Sequence, residues 1–193
     1  KTNHTKKTIL ITPYPITNLF GLATTNLYLR LESLLQNICK ILKKIPDTEI
    51  IIKLHPGQDD YNDDLIILLR KIVPNIQIYQ LNPIIDLIES CDLLVNISPQ
   101  NFDTSTVMME GLIMNKPVVN IILDDTFYEF SFVKENAILS ISDKSDLEKI
   151  LNDVLFNQDL KSNLKNNGKT FLAKYLINHG NASEDLAKII TSY

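Results

Sequence analysis

Three short stretches hold residue types that could grip a phosphorylated, hydroxyl-rich ligand. One is Lys53-Leu54-His55-Pro56-Gly57, where an imidazole follows an aliphatic run. Another runs from Ser98 to Glu110 and contains Thr104-Ser105-Thr106. The third is Thr12-Pro13-Tyr14-Pro15. An imidazole such as that of His55 can donate a hydrogen bond to a phosphate oxygen and stabilise a departing nucleotide. A helix opening near Ser105 leaves first-turn amides without intrahelical partners. Those amides, the helix dipole and the hydroxyls of Ser105 and Thr106 form an anion site. Glu110 stands four residues after Thr106, on the same helical face, where it can accept from both hydroxyls of a ribose. Ser98 and Thr12 add hydroxyls at the same level. Such a set would suit a ribonucleotide diphosphate.

Each feature also has an ordinary reading. Thr12-Pro13 can be a stiff turn, His55 can bond a neighbouring loop, and Glu110 can be a surface glutamate. Asp103 or Thr104 is expected to cap the helix, and a carboxylate there would repel phosphate. Pro56 should hold its turn rigid, and Gly57 permits backbone angles closed to other residues. Gly111 should permit a close approach of backbone or ligand, at a helix cost of about 1 kcal/mol relative to Ala.

Those residues need elements to position them. Continuous aliphatic runs predict strands at Thr8 to Ile11, Glu49 to Leu54, Asp92 to Ile97 and Pro117 to Ile122, as expected where helices cover both sheet faces. Asn75 to Gln80 alternates and reads as a half-exposed edge strand, and Ile138 to Ile141 as a short one. Apolar residues spaced by 3.6 predict a helix over Asn26 to Lys44, ended by Pro46. Further helices are predicted over Tyr61 to Ile72, Ile84 to Ser90, Thr104 to Met114, Asp146 to Phe156, Asp159 to Leu176 and Ser183 to Ile190. Strands alternating with helices imply right-handed crossovers and an α/β fold with a doubly wound parallel sheet, Rossmann-like, with a helical C-terminal tail. Ligands bind such sheets beyond the carboxyl ends of the strands, where strand order reverses.

Composition narrows the function. The 193 residues are 45% hydrophobic, enough for one domain with a sizeable core. Only five glycines occur, with no glycine-rich P-loop and no G-x-G-x-x-G after the first strand, which removes the strongest signatures of ATP hydrolysis and NAD binding. The net charge of −4 and the lack of a basic face argue against nucleic acid. Cys39 and Cys91 read as reduced core residues. No apolar run approaches the ~20 residues of a membrane span, so a cytoplasmic location is expected. No His, Cys and carboxylate spacing resembles a metal site. The pairs Asp59-Asp60, Asp63-Asp64 and Asp124-Asp125 read as solvated or helix-dipole residues, and His4 and His179 are assigned nothing.

In order, Glu49-Ile-Ile-Ile-Lys-Leu-His-Pro56, Cys91-Asp-Leu-Leu-Val-Asn96, Ser105-Thr106 with Glu110, and Asn115-Lys116-Pro117-Val118-Val119 resemble the C-terminal domain of GT-B glycosyltransferases. The likeness is to the group of capsule polysaccharide and CDP-glycerol polymerases, polysialyltransferases and non-hydrolysing UDP-N-acetylglucosamine 2-epimerases. It spans roughly Thr8 to Ile190. Thr104-Ser105-Thr106 replaces the glycine or serine pair of several relatives, and Gly111 stands where Ala often follows the glutamate.

The resemblance implies that residues 1–193 form one nucleotide-sugar-binding domain, the C-terminal part of a longer two-domain protein. His55 and Ser105 or Thr106 would hold the donor phosphates and Glu110 the ribose. The substrate would be a UDP-, CDP- or CMP-linked donor, with no tightly bound cofactor, and the catalytic base would lie in a separate N-terminal acceptor domain. Sugar or polyol-phosphate transfer in surface polysaccharide synthesis is the expected function, with peripheral membrane association of the full-length protein compatible with it. A 2-epimerase and a non-catalytic flavodoxin-like module are the alternatives. Lys1-Thr2-Asn3-His4-Thr5, without Met, is open to reading as a processed start or a tag remnant and also fits an excised C-terminal half.

Overall fold

A computed structural model describes residues 6–14, 25–57, 62–98, 105–123, 130–176 and 180–192. The expectations for Asp59-Asp60, Asp103, Thr104, Asp124-Asp125, His4 and His179 fall outside these residues. Six parallel strands form one sheet in the order β3-β2-β1-β4-β5-β6. They are β1 (Lys7–Pro13), β2 (Thr48–Lys53), β3 (Gln77–Tyr79), β4 (Leu93–Ser98), β5 (Val118–Ile122) and β6 (Leu139–Ser142). All six predicted strands are present. The edge strand β3 is shorter than its alternating run, and its three residues are half-buried because one side faces outward.

Helices cover both faces, so each aliphatic strand buries residues in alternate directions. On one face, Ile9, Ile11, Val95, Ile97, Val119 and Ile121 pack under α1 (Thr25–Lys43), α2 (Asn62–Ile72) and α6 (Leu147–Phe156). Leu31, Leu35, Ile38 and Leu42 supply the predicted stripe of α1. On the other face, Leu10, Ile51, Leu94 and Val118 meet α3 (Ile84–Ser90), α4 (Thr106–Ile113) and α5 (Ser131–Lys134). The single-turn helix α5 is not predicted from the sequence; Phe132 anchors it, stacked on Phe130 at 5.2 Å.

The tail continues with α7 (Gln158–Tyr175) and α8 (Ala182–Thr191). Leu164 of α7 enters the first core, and Phe171 and Leu172 the second, so α7 closes the sheet's end across both layers. Cys39 and Cys91 are buried and free. Burial pushes their thiols up to about 12 and about 11, which keeps them protonated and unreactive.

Two glycines differ from each other in role. Gly111 of α4 is buried, and a Cβ there would lie 2.6 Å from Leu94 Cδ2 and 3.0 Å from Val118 Cγ2. It lets α4 settle directly onto β4 and β5. Gly57 does not use the left-handed freedom open to a glycine: Gly180 is the one described glycine that does. A Cβ on Gly57 would touch the His55 ring at an ordinary 3.5 Å. The turn after β2 uses its amide instead.

Gly111→Ala should therefore destabilise the protein. Overpacking costs about 1–3 kcal/mol, more than the roughly 1 kcal/mol gained in helix propensity. Urea denaturation should give a lower midpoint; an unchanged or higher one would show that α4 does not sit this close to the sheet.

Candidate functional site

Strand order reverses at β1, whose neighbours are β2 on one side and β4 on the other. The helices that follow β1 and β4, α1 and α4, lie on opposite faces, which opens a crevice at the carboxyl ends of these strands. A cavity of about 480 Å³ occupies that position. The end of β1 (Thr12, Pro13, Tyr14) and the end of β2 (Lys53 to Pro56) form one wall. The β3–α3 loop (Gln80, Leu81, Asn82) forms a second, and the first turn of α4 with Glu110 a third. His55, Thr12, Ser105, Thr106 and Glu110 thus face one hollow. Ser98 is not in its lining.

Thr12 and Asn96 of this lining belong to a row of polar side chains where a two-sided parallel sheet ordinarily holds aliphatics. Pairing puts Thr12 opposite Asn96, Asn96 opposite Asn120, and Asn120 opposite Ser140. The Thr12 hydroxyl donates to Asn96 Oδ1 at 3.3 Å. Asn96 Nδ2 donates to Asn120 Oδ1 at 2.8 Å and to Ser98 Oγ at 3.0 Å, and Ser98 Oγ donates to Asn120 Oδ1 at 3.0 Å. Thr12, Asn96, Ser98 and Asn120 are each at most 5% exposed, so these bonds are needed to offset desolvation. The network reverses the expected use of two residues. Ser98 is consumed within it, and Thr12 has its proton committed to Asn96, leaving only lone pairs for the cavity.

His55 projects from the rim and is exposed. Its Nδ1 accepts from the Gly57 amide at 3.1 Å, so the neutral ring carries its proton on Nε2. Partial burial, and then the charge of Lys53, push its pKa below the ordinary value. Protonation would also cost the Gly57 bond, because both ring nitrogens would be donors. Lys53 closes β2 at 8% exposure; its ammonium donates to Leu54 O at 3.0 Å and Gln80 O at 2.6 Å. Burial pushes its pKa down.

The α4 N-terminus differs from expectation in one respect. Ser105 is the N-cap, with φ −54° and ψ 121°, and its side chain makes no capping bond. Its extended ψ marks the start of the helix at Thr106, two residues inside the predicted span of Thr104 to Met114. The amides of the first turn are therefore not closed by the Ser105 hydroxyl. One turn on, Glu110 carries Oε2 buried and without a hydrogen-bond partner. An unpaired buried acceptor costs about 1–3 kcal/mol, and a ligand hydroxyl would relieve it.

Lys53, Asn96 and the Gln80–Asn82 loop are cavity residues that motif reading misses, as it does Asn120, which bonds Asn96. A signal did exist: Ile-Ile-Ile-Lys53, Leu-Val-Asn96 and Val-Val-Asn120 each interrupt an aliphatic strand with one polar residue. Among the described residues, no group of three or more His, Cys, Asp or Glu could hold a metal ion, and no helix is long and apolar enough to cross a membrane.

No family model matches the chain, and no curated protein sequence matches it. Solved structures do share its fold. HepE of Anabaena, solved with UDP and glucose, is 14% identical with a TM-score of 0.62, over 97% of this chain and 49% of its own. The C-terminal domain of LpcC, a group 1 glycosyltransferase of Francisella tularensis, is 15% identical with a TM-score of 0.57, over 89% and 87% of the two chains. A UDP-GlcNAc 2-epimerase of Neisseria meningitidis, bound to UDP-GlcNAc, is 16% identical with a TM-score of 0.51, over 91% and 45%. The chain spans about half the length of HepE and of the epimerase. These likenesses establish the fold: a six-stranded, Rossmann-like α/β domain of the GT-B type with a helical C-terminal end.

Proposed function

We propose that this chain is the donor-nucleotide-binding half of a glycosyltransferase, moving a sugar or polyol phosphate from a nucleotide-activated donor in surface polysaccharide synthesis. The observation that carries this reading is the convergence of His55, Ser105, Thr106 and Glu110 on one cavity at the strand-order reversal. Supporting it, HepE and the Neisseria epimerase were solved with UDP-containing ligands. In the proposed complex, the α4 first turn and the Ser105 and Thr106 hydroxyls receive the phosphates. His55 donates from Nε2 to a phosphate oxygen, and this bond strengthens as the leaving group gains charge. Glu110 accepts from the ribose hydroxyls.

A second domain, N-terminal to this one, would supply the acceptor site and the catalytic base. Support comes from the half-length coverage of HepE and the epimerase. One crevice wall can neither orient an acceptor nor exclude water, and orientation supplies much of a transferase's rate. The isolated chain should therefore bind donor without turnover; robust transfer by the purified 193-residue chain would refute the two-domain reading. The epimerase in the same fold makes epimerisation the second reading. Full-length protein incubated with UDP-N-acetylglucosamine and no acceptor decides between them, since an epimerised sugar would favour the second.

Calorimetric titration with UDP, CDP, CMP and GDP should find saturable binding. Glu110→Gln should weaken it about tenfold, the scale of a hydrogen bond to a charged group, without lowering the thermal midpoint. Unchanged affinity would remove Glu110 from the site, and saturation by none of the nucleotides would remove the reading.

His55 gives a separate check by NMR. Its pKa should fall below about 6.5, with the proton on Nε2 in the neutral form; an Nδ1-protonated ring would contradict the proposed donor. A depressed pKa means the unfolded chain takes up this proton more readily. Stability should thus decline as pH falls through the ordinary histidine range toward the folded-state pKa, and His55→Gln should flatten that decline.

A further inference from the structure

We propose that Lys53 is an anion-binding residue of the cavity, supplying the positive charge that meets a phosphate group of the ligand. Calling that phosphate a nucleotide's rests on the donor-binding reading above; the anion site itself rests on Lys53.

Lysine is almost never buried without a counter-charge. Lys53 is 8% exposed, yet none of the ion pairs among the described residues includes it. Glu110 faces the same cavity from α4, but no ion pair among the described residues joins it to Lys53, and its Oε2 accepts no hydrogen bond. The partners of the ammonium are two carbonyls, Leu54 O and Gln80 O, and an ammonium has three N–H groups. One donor is left over at a residue that lines the cavity.

The two carbonyls fix the ammonium at the junction of β2 and the β3–α3 loop, so little ordering remains when an anion arrives. A buried uncompensated charge is costly, and a phosphate oxygen would complete the pair through a short, charge-assisted bond. His55 beside it is held neutral, so the cation and the neutral donor are separate side chains.

The test titrates the 193-residue chain and its Lys53→Met variant with inorganic pyrophosphate, UDP and CDP, using uridine and cytidine as uncharged controls. Pyrophosphate affinity should fall at least about tenfold in Lys53→Met, the nucleoside diphosphates should follow, and Lys53→Arg should retain most of the binding. Nucleoside affinity should stay unchanged. The His55 pKa should rise in Lys53→Met, a shift that a purely mechanical tie between strand and loop would not produce. Should Lys53→Met fail to fold, Lys53→Gln gives the same comparison.

Equal losses for nucleosides and nucleoside diphosphates would reduce Lys53 to a support for the loop and overturn the inference. Pyrophosphate bound equally by both proteins, or by neither, would also overturn it. Lys53-dependent pyrophosphate binding without nucleotide binding would uphold the anion site and refute the nucleotide reading instead.

Discussion

Parallel pairing of β1 with both β2 and β4 is the constraint from which the site follows. The registers Ile11 to Ile52 and Thr12 to Asn96 bring the ends of these strands to one level. The Tyr14 amide, bonding Ile97 O at 2.8 Å, carries the alignment beyond Pro13. Because α1 and α4 lie on opposite faces on either side of β1, no helix among the described residues fills the space above this junction. Gly111 then matters twice. It lets α4 descend onto Leu94 and Val118, and that descent sets where Ser105, Thr106 and Glu110 stand relative to the strand ends.

The cavity combines unlike electrostatic elements, each defined by its immediate partners. Thr12 presents lone pairs because Asn96 takes its proton. His55 presents an N–H because Gly57 occupies Nδ1. Lys53 holds its terminal nitrogen on two carbonyls, and Glu110 keeps an acceptor oxygen with no partner. A folded core would ordinarily select against a buried lysine without a counter-ion and a carboxylate oxygen without a donor. Their presence around one hollow is what distinguishes it from a gap left by imperfect packing.

The elements of this fold were legible because burial on both faces demands long aliphatic runs, and β1, β2, β4 and β5 have them. The weaker signals, Ile76 and Ile78 at one edge and Ile138 to Ile141 at the other, still gave strands, shorter and only partly buried. The helix α5 escaped because four residues are too few for a period, and its stability comes from Phe132 in the core. Motif spacing placed His55, Ser105, Thr106 and Glu110 on one cavity wall or another. It did not foresee the place of Ser98, whose hydroxyl is taken by Asn96 two residues back on β4 and by Asn120 on the neighbouring β5, a partner 22 residues away. Lys53 was hidden for a related reason: its burial depends on Gln80, 27 residues away. Polar residues interrupting aliphatic strands were the readable trace of both.

The most direct measurement is a crystal structure of the chain grown with a saturating nucleoside diphosphate. The account predicts the ribose hydroxyls on Glu110 and the phosphates between His55 Nε2 and the first turn of α4. A nucleotide seated elsewhere on the molecule, or one in the cavity with its ribose turned away from Glu110, would contradict it.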